Sequence, residues 1–313
     1  MMEAATVKAG TPTKRRSRGL SERRLAAAMV SPSMILIAIV AAYPIIYAIW
    51  LSLHEYSVRV AGLQRWAGPF GMRNYSNALQ DPDFWAAFKT TFIFTGASVV
   101  LETLLGLAMA LAMHSAFKGQ GLLRTVVLVP WAILTVVTAI TWQTIFEPSL
   151  GFVNSLLGTI GLPNDTVWLG EEPQALIVMI VADVWKTAPF MALLLLAGLQ
   201  VISGEIYEAA KVDGATAWQR FTRITLPLLK PALLVALIFR TLDALRIFDL
   251  PFVLTGGAHG TTTLSLISYE TFQTNRILGL GSALAVLTFI IVMIVSFVYI
   301  RFVGGNIRGL AEE

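Results

Sequence analysis

The sequence predicts an all-α, polytopic membrane protein with six transmembrane helices. Three observations carry that prediction: a scarcity of charge, six long apolar runs, and basic residues confined largely to alternate loops. Apolar residues make up 56% of the 313 residues and charged residues only 13%, about half the roughly 25% charge of a soluble domain. Mean hydropathy is +0.71. Hydrocarbon does not solvate charge, so long uncharged runs are what a bilayer selects. The chain has no cysteine, which excludes a disulfide, a thiolate zinc site or a cysteine nucleophile. The net charge of +4 lies in segments beside apolar runs, which suits attraction to the cytoplasmic leaflet better than nucleic acid.

Residues 1–27 form a basic tail, of which 1–18 lack apolar periodicity and are expected to be disordered. The spans follow at about 28–53, 88–113, 122–146, 174–202, 231–254 and 279–303, each long enough for the roughly 20 residues a crossing needs. The membrane-spanning region is therefore 28–303, and 304–313 is a second tail. The first run is too long for a cleaved signal peptide and lacks an A-x-A-like site after Tyr43-Pro44. Between the first two spans, 55–87 is too polar to cross, and Asp81-Pro82-Asp83-Phe84-Trp85 reads as a helix start, with Asp81 as cap and Trp85 as an interfacial anchor.

Basic residues set the orientation. Lys14, Arg15, Arg16, Arg18, Arg23, Arg24, Lys118, Arg124, Lys211, Arg220, Arg223, Lys230, Arg301 and Arg308 fall on one side of a six-span chain. Only Arg59, Arg65, Arg73, Lys89 and Arg276 fall on the other. Fourteen against five places both termini in the cytoplasm of a plasma or inner-membrane protein.

One connection is more than a connector. Residues 203–231 alternate apolar Ile206, Ala209, Ala210, Trp218, Phe221 and Ile224 with polar Glu205, Glu208, Lys211, Asp213, Arg220 and Arg223. Gly214 interrupts the pattern, and Pro227 and Pro231 are expected to close it, giving two short helices joined at a glycine turn. Such a segment suits either a bed of lipid headgroups or a protein partner.

Charges inside spans are costly and commonly face a bundle interior or a wet cavity. They are Glu102, Asp183, Lys186, Arg240, Asp243, Arg246 and Asp249. Asp183 and Lys186 share a helix face at a spacing of three, as do Asp243 and Arg246, and Thr187 and Phe190 continue the first stripe. Two readings stand: salt bridges that hold the bundle, or polar stripes lining a path for a hydroxyl-rich solute. Glu102 has no neighbour in the pattern and reads as structural. His54, His114 and His259 lie far apart, which argues against a metal site. Gly106, Gly279 and Gly281 permit close helix contact.

The motif E-A-A-x3-G-x9-I-x-L-P, from Glu208-Ala209-Ala210 through Asp213-Gly214-Ala215 to Ile224 and Leu226-Pro227, resembles the EAA loop of binding-protein-dependent ABC importers. Arg73-Asn74-Tyr75, Leu128-x-Pro130-Trp131, Val184-Trp185-x3-Pro189-Phe190-Met191, Phe248-Asp249 and Leu254-Thr255-Gly256-Gly257 agree with it. Over about 25–303 the chain is similar to the MalF-type carbohydrate permeases, and VWKTAPFMALLLLAGL and RTLDALRIFD look like the trehalose-import permeases of actinobacteria.

The resemblance implies a type I ABC importer permease fold, in which the 203–231 loop couples to a separate ATPase through Glu208, Ala209, Ala210, Asp213, Gly214 and Ala215. It implies a second homologous permease subunit, a cytoplasmic ATPase dimer carrying ATP and magnesium, and a lipoprotein-type solute-binding protein outside. The implied substrate is a di- or oligosaccharide, trehalose or maltose-like, with glycerol-phosphate or another small polyol or sugar derivative as the alternative. In a maltose permease of the family, sugar ligands sit at positions matching Asp183, Lys186, Thr187, Phe190, Asp243 and Arg246; here charges and Thr187 replace asparagines and a glycine. Asp249 completes the implied pathway set. No cofactor is expected in the chain, which lacks a G-x4-G-K-[ST] run, nor is an enzymatic constellation present. The rival class, an ion-coupled secondary carrier, predicts inverted repeats, and none is evident between 28–146 and 174–303.

Overall fold

A computed structural model describes residues 22–58, 64–66, 70–115 and 118–310. The expected basic tail therefore lies largely outside the described residues, as do Arg59 and the last three residues. The chain divides into two compact units, 1–47 and 48–313. Helix α1 (Glu22–Ile37) passes through a π-helical turn (Ala38–Ala42) into α2 (Tyr43–Ser52), and Arg23–Ser52 is long and apolar enough to cross a membrane.

The second unit, which begins within α2, continues with a short antiparallel hairpin, β1 (Tyr56–Val58) against β2 (Gln64–Trp66), and helix α3 (Arg73–Gln80). The residues read as a helix start are the first turn of α4 (Pro82–His114), a 33-residue helix that runs on through the expected second span. Asp81 caps it by accepting the Asp83 N–H at 2.9 Å, and Pro82 occupies the first turn, where its missing N–H costs nothing. At about 1.5 Å per residue α4 is roughly 50 Å long, well beyond a hydrocarbon core. Trp85 donates its indole N–H to the Leu79 carbonyl at 2.8 Å.

The expected third span, 122–146, is not a straight rod. It breaks into α5 (Gln120–Ala132) and α6 (Thr135–Ile145), bent by 90° at Ile133-Leu134. Pro130 supplies no amide to the helix, the Ile133 N–H turns back to the Pro130 carbonyl, and Ile133 and Leu134 are extended. Each half, at about 17–20 Å, is too short to cross alone. Helix α7 (Phe152–Thr159) leads to α8 (Gln174–Val201), a 28-residue helix that packs along α4. Gly106 permits that approach: a Cβ there would stand 2.7 Å from Met191 Cγ and 3.1 Å from the Ala192 backbone nitrogen.

Next come α9 (Gly204–Val212) and α10 (Ala217–Arg220). The prolines do not end this segment as expected. A π-helical turn (Phe221–Thr225), closed by the Leu226 N–H on the Phe221 carbonyl, joins α10 to α11 (Leu226–Ala244), making Ala217–Ala244 one apolar helix long enough to span. The wider turn absorbs the mismatch that Pro227 would otherwise impose. At the other end, the span expected to reach 254 stops at Ala244. The amides of Arg246 and Ile247 bond three residues back, and α12 (Asp249–Leu254) starts anew. The released Ile247 carbonyl accepts from the Thr263 hydroxyl at 2.9 Å. Helix α13 (Leu264–Tyr269) and a last π turn (Glu270–Thr274) lead into α14 (Leu278–Leu310). Among the described residues, five helices can span, or six if the bent pair counts as one.

Packing at Gly106 gives a test. Gly106→Ala should lower the melting temperature of the purified protein, because overpacking against helix backbone costs about 1–3 kcal/mol. Gly96→Ala on the same helix meets open space and should leave the melting temperature unchanged or raised; equal losses at both positions would refute the close-contact account.

Candidate functional site

The polar interior centres on Arg240, on α11. Its guanidinium is fully enclosed, with a side-chain exposure of 2%, and it meets three carboxylates from three helices. Nε and Nη2 clamp the two oxygens of Glu102 on α4, the second at 2.9 Å; Nη2 also reaches Asp183 on α8. Nη1 donates to Oδ2 of Asp243, one turn along α11, at 2.9 Å. The Thr187 hydroxyl lies 2.5 Å from Glu102 Oε1 and 2.6 Å from the Asp183 carbonyl oxygen. Glu102 and Asp183 are buried, whereas Asp243 keeps 69% of its side chain exposed. Arginine suits this task because its planar fork donates in three directions while remaining charged.

This arrangement revises the expected pairs. Asp183 does not face Lys186, and Asp243 does not face Arg246; both aspartates turn to Arg240. Lys186 makes no ion pair among the described residues, and the exposed Arg246 donates Nε–H to the Leu242 carbonyl at 3.2 Å. Glu102, expected to stand alone, is the clamp. In the sequence Arg240 is marked only by its charge within a span and by its spacing of three from Asp243. The link to Glu102 is not marked there, since the two lie 138 positions apart.

The remaining pathway candidates, Phe190 and Asp249, lie on α8 and α12. Phe190 is half-buried and stacks on Trp131 at 5.7 Å between ring centroids, and Trp185 meets Trp142 edge-on at 6.1 Å. Asp249 is exposed at the start of α12.

The second candidate site is the α9–α10 pair. Ser203 caps α9 by accepting the Glu205 N–H. The helix ends in a Schellman motif: Ala215 N–H bonds the Ala210 carbonyl at 2.9 Å, Gly214 N–H bonds that of Lys211 at 3.1 Å, and Gly214 has φ +79°. A side chain at that φ is strained, which is the physical reason for glycine. Thr216 and Gln219 then form a reciprocal capping box that starts α10. Both turn ends are thus locally satisfied, and the pair is a preformed hinge. Glu208, Ala209, Asp213 and Gly214 are exposed, as are the large apolar Val212 and Trp218. Ala210 and Ala215 are half-buried. Behind the pair lies a cavity of about 850 Å³ bounded by Leu111, Tyr207, Trp218 and Phe221. At the opposite end of the long helices, Asp81, Asp83, Thr262, Glu270 and Asn275 line a polar cavity of about 430 Å³, and burial pushes the Glu270 carboxyl above its ordinary range.

A hinge exposed at one end of long apolar helices, with an ionic centre inside them, is the plan of a membrane transport component. Residues 102–308 match the family described as the binding-protein-dependent transport system inner membrane component, and the chain belongs to that family. It is 43% identical over 290 residues to the trehalose transport system permease protein SugA of Mycobacterium tuberculosis, covering 93% of this chain and 92% of the relative. It is also 43% identical over 283 residues to the trehalose/maltose transport system permease protein MalF of Thermococcus litoralis, covering 90% and 94%. A solved bacterial alginate ABC transporter, in complex with its alginate-pentasaccharide-bound periplasmic protein, contains a chain of the same fold. Its TM-score is 0.78 at 25% identity, covering 89% of this chain and 93% of that one. These relationships leave the ion-coupled carrier unfavoured.

The cluster predicts a steep penalty for losing its centre. Arg240→Met leaves three carboxylates without their counter-ion, and breaking a buried pair costs about 3–5 kcal/mol. The variant should accumulate poorly in membranes or melt far below the parent, as read by fluorescence-detected size exclusion and thermal melting. A parent-like melting temperature would refute the structural role of the cluster.

Proposed function

We propose that this chain is one of two permease subunits of an ATP-driven sugar importer, carrying trehalose or a maltose-like di- or oligosaccharide inward. The observation that carries the reading is 43% identity, across nine-tenths of the chain, to two permeases named for trehalose or for trehalose and maltose. A second homologous permease completes the pathway, and a lipoprotein-type binding protein delivers sugar from outside. ATP and magnesium reside on a separate cytoplasmic ATPase dimer, so this chain performs no chemistry. Both termini lie in the cytoplasm of the plasma or inner membrane.

In this reading the polar edge of α8 and α11 receives the sugar. Asp243, Lys186, Arg246 and Asp249 offer charged hydrogen-bond partners for hydroxyls, and Phe190 supplies an apolar ring for the C–H face of a pyranose. Asp183 and Thr187 are turned into the cluster, so their part is to support these groups from behind. The exposed hinge of α9 and α10 serves as the coupling element. A rigid short helix with a compact turn transmits force across a protein surface better than a loose loop, and Glu208, Ala209, Ala210, Asp213, Gly214 and Ala215 form its docking edge.

Coupling is tested by Gly214→Leu and Glu208→Arg in the complex reconstituted with its ATPase and binding protein. Both should insert normally yet lower sugar-stimulated ATP hydrolysis and reduce ATPase co-purification. Wild-type uptake by both variants would remove the coupling assignment.

Orientation is tested separately with a reporter active only in the cytoplasm. Fusions at Lys118, Asp213 and the C-terminus should be active, and a fusion at Asn164 silent. Activity at Asn164 would overturn the topology.

A further inference from the structure

We infer that Glu102 and Arg240 are positioning residues for sugar recognition: Glu102 fixes the Arg240 fork so that Arg240 presents the Asp243 carboxylate in one orientation to a hydroxyl donor of the solute. The inference rests on the reading of Asp243 as a sugar contact and adds to it the device that makes that contact specific.

The geometry runs in one direction. A carboxylate that holds both Nε and Nη2 of an arginine fixes the plane of the guanidinium, and Glu102 does so from another helix, itself tied to Thr187. Nη2 is further committed to Asp183. Nη1, the remaining terminal nitrogen, is thereby aimed at Asp243 Oδ2, at 2.9 Å. Of the three carboxylates, Asp243 alone is open to the outside of the bundle. With Oδ2 held, Oδ1 is left as an acceptor whose direction is set by groups the solute never touches. Asp243 also belongs to the outward stripe of α11, which runs through Val235, Phe239 and Asp243 at helical spacing.

A plain staple has no need of its third carboxylate. Glu102 and Asp183 already provide two buried partners for one guanidinium, and an exposed aspartate one turn along the same helix joins nothing further. Its placement is explained if the cluster holds that aspartate still. An acceptor fixed in advance recognises one hydroxyl geometry without ordering a side chain on binding.

The test is a double-variant cycle in the reconstituted complex, with the binding protein present and labelled trehalose as the probe. Asp243→Asn, Glu102→Gln, and the two together are compared for uptake KM and kcat, basal ATP hydrolysis and melting temperature. Arg240→Lys, which keeps the charge but loses the planar fork, is carried alongside. Losing a charge-assisted hydrogen bond corresponds to about a tenfold change or more. Asp243→Asn and Glu102→Gln should therefore each raise KM by about tenfold, with kcat little changed, and the double variant should be no worse than Asp243→Asn alone. Arg240→Lys should raise KM in the same way. Effects of the two single changes that multiply in the double variant would overturn the relay. A raised KM in Asp243→Asn with a normal KM in Glu102→Gln would overturn the relay alone, leaving the sugar contact intact. A normal KM in Asp243→Asn would overturn the contact and the relay together. Failure of both Glu102→Gln and Arg240→Lys to assemble, beside normal assembly of Asp243→Asn, would assign the cluster to stapling and overturn the inference.

Discussion

The bundle depends on one guanidinium. Arg240 is fully buried among apolar helices, and it is stable there only because α4 and α8 each bring a carboxylate to it. That requirement fixes the relative register of three long helices: a shift of one turn in any of them would leave a charge unpaired at a cost of several kcal/mol. Apolar packing alone gives no such register, since lipid tails are as apolar as the helix faces they would replace. The close crossing at Gly106 then brings α4 and α8 near enough for both carboxylates to meet the same arginine.

Around that fixed centre the helices are interrupted at chosen places, and each interruption has its own local compensation. The α5–α6 bend follows Pro130, the π turn before α11 accommodates Pro227, and the freed carbonyl at Ile247 is capped by the Thr263 hydroxyl. Two of these interruptions flank α11, the helix that carries Arg240 and Asp243. The α9–α10 hinge is continuous with one end of that helix through the π turn, and α12 begins anew at the other. The hinge and the ionic centre are thus joined by a single apolar helix of 28 residues, Ala217–Ala244.

The sequence by itself determined the membrane class, the approximate placement of the apolar runs and the two-helix hinge. Each rests on local physics: charge scarcity, run length, and the left-handed turn that Gly214 allows and Ala215 and Lys211 close. The Asp81 cap was legible for the same reason, though not that its helix runs on unbroken into the second span. Spacing of three and four also marked Asp183, Asp243 and Thr187 as polar positions within spans.

Only the tertiary structure decided which charges meet. Helical spacing matched Asp183 with Lys186 and Asp243 with Arg246, because periodicity reports neighbours on one helix and is silent about the next. The partner that won, Arg240, gathers carboxylates from positions 57 and 138 residues away as well as three. The 90° bend in 122–146 escaped for a related reason: an apolar run reads the same whether it crosses straight or turns, and a proline within a membrane helix is tolerated or not according to what surrounds it. Local sequence sets what each segment is able to be, and the cost of an unpaired buried charge selects among those possibilities only when the helices are assembled.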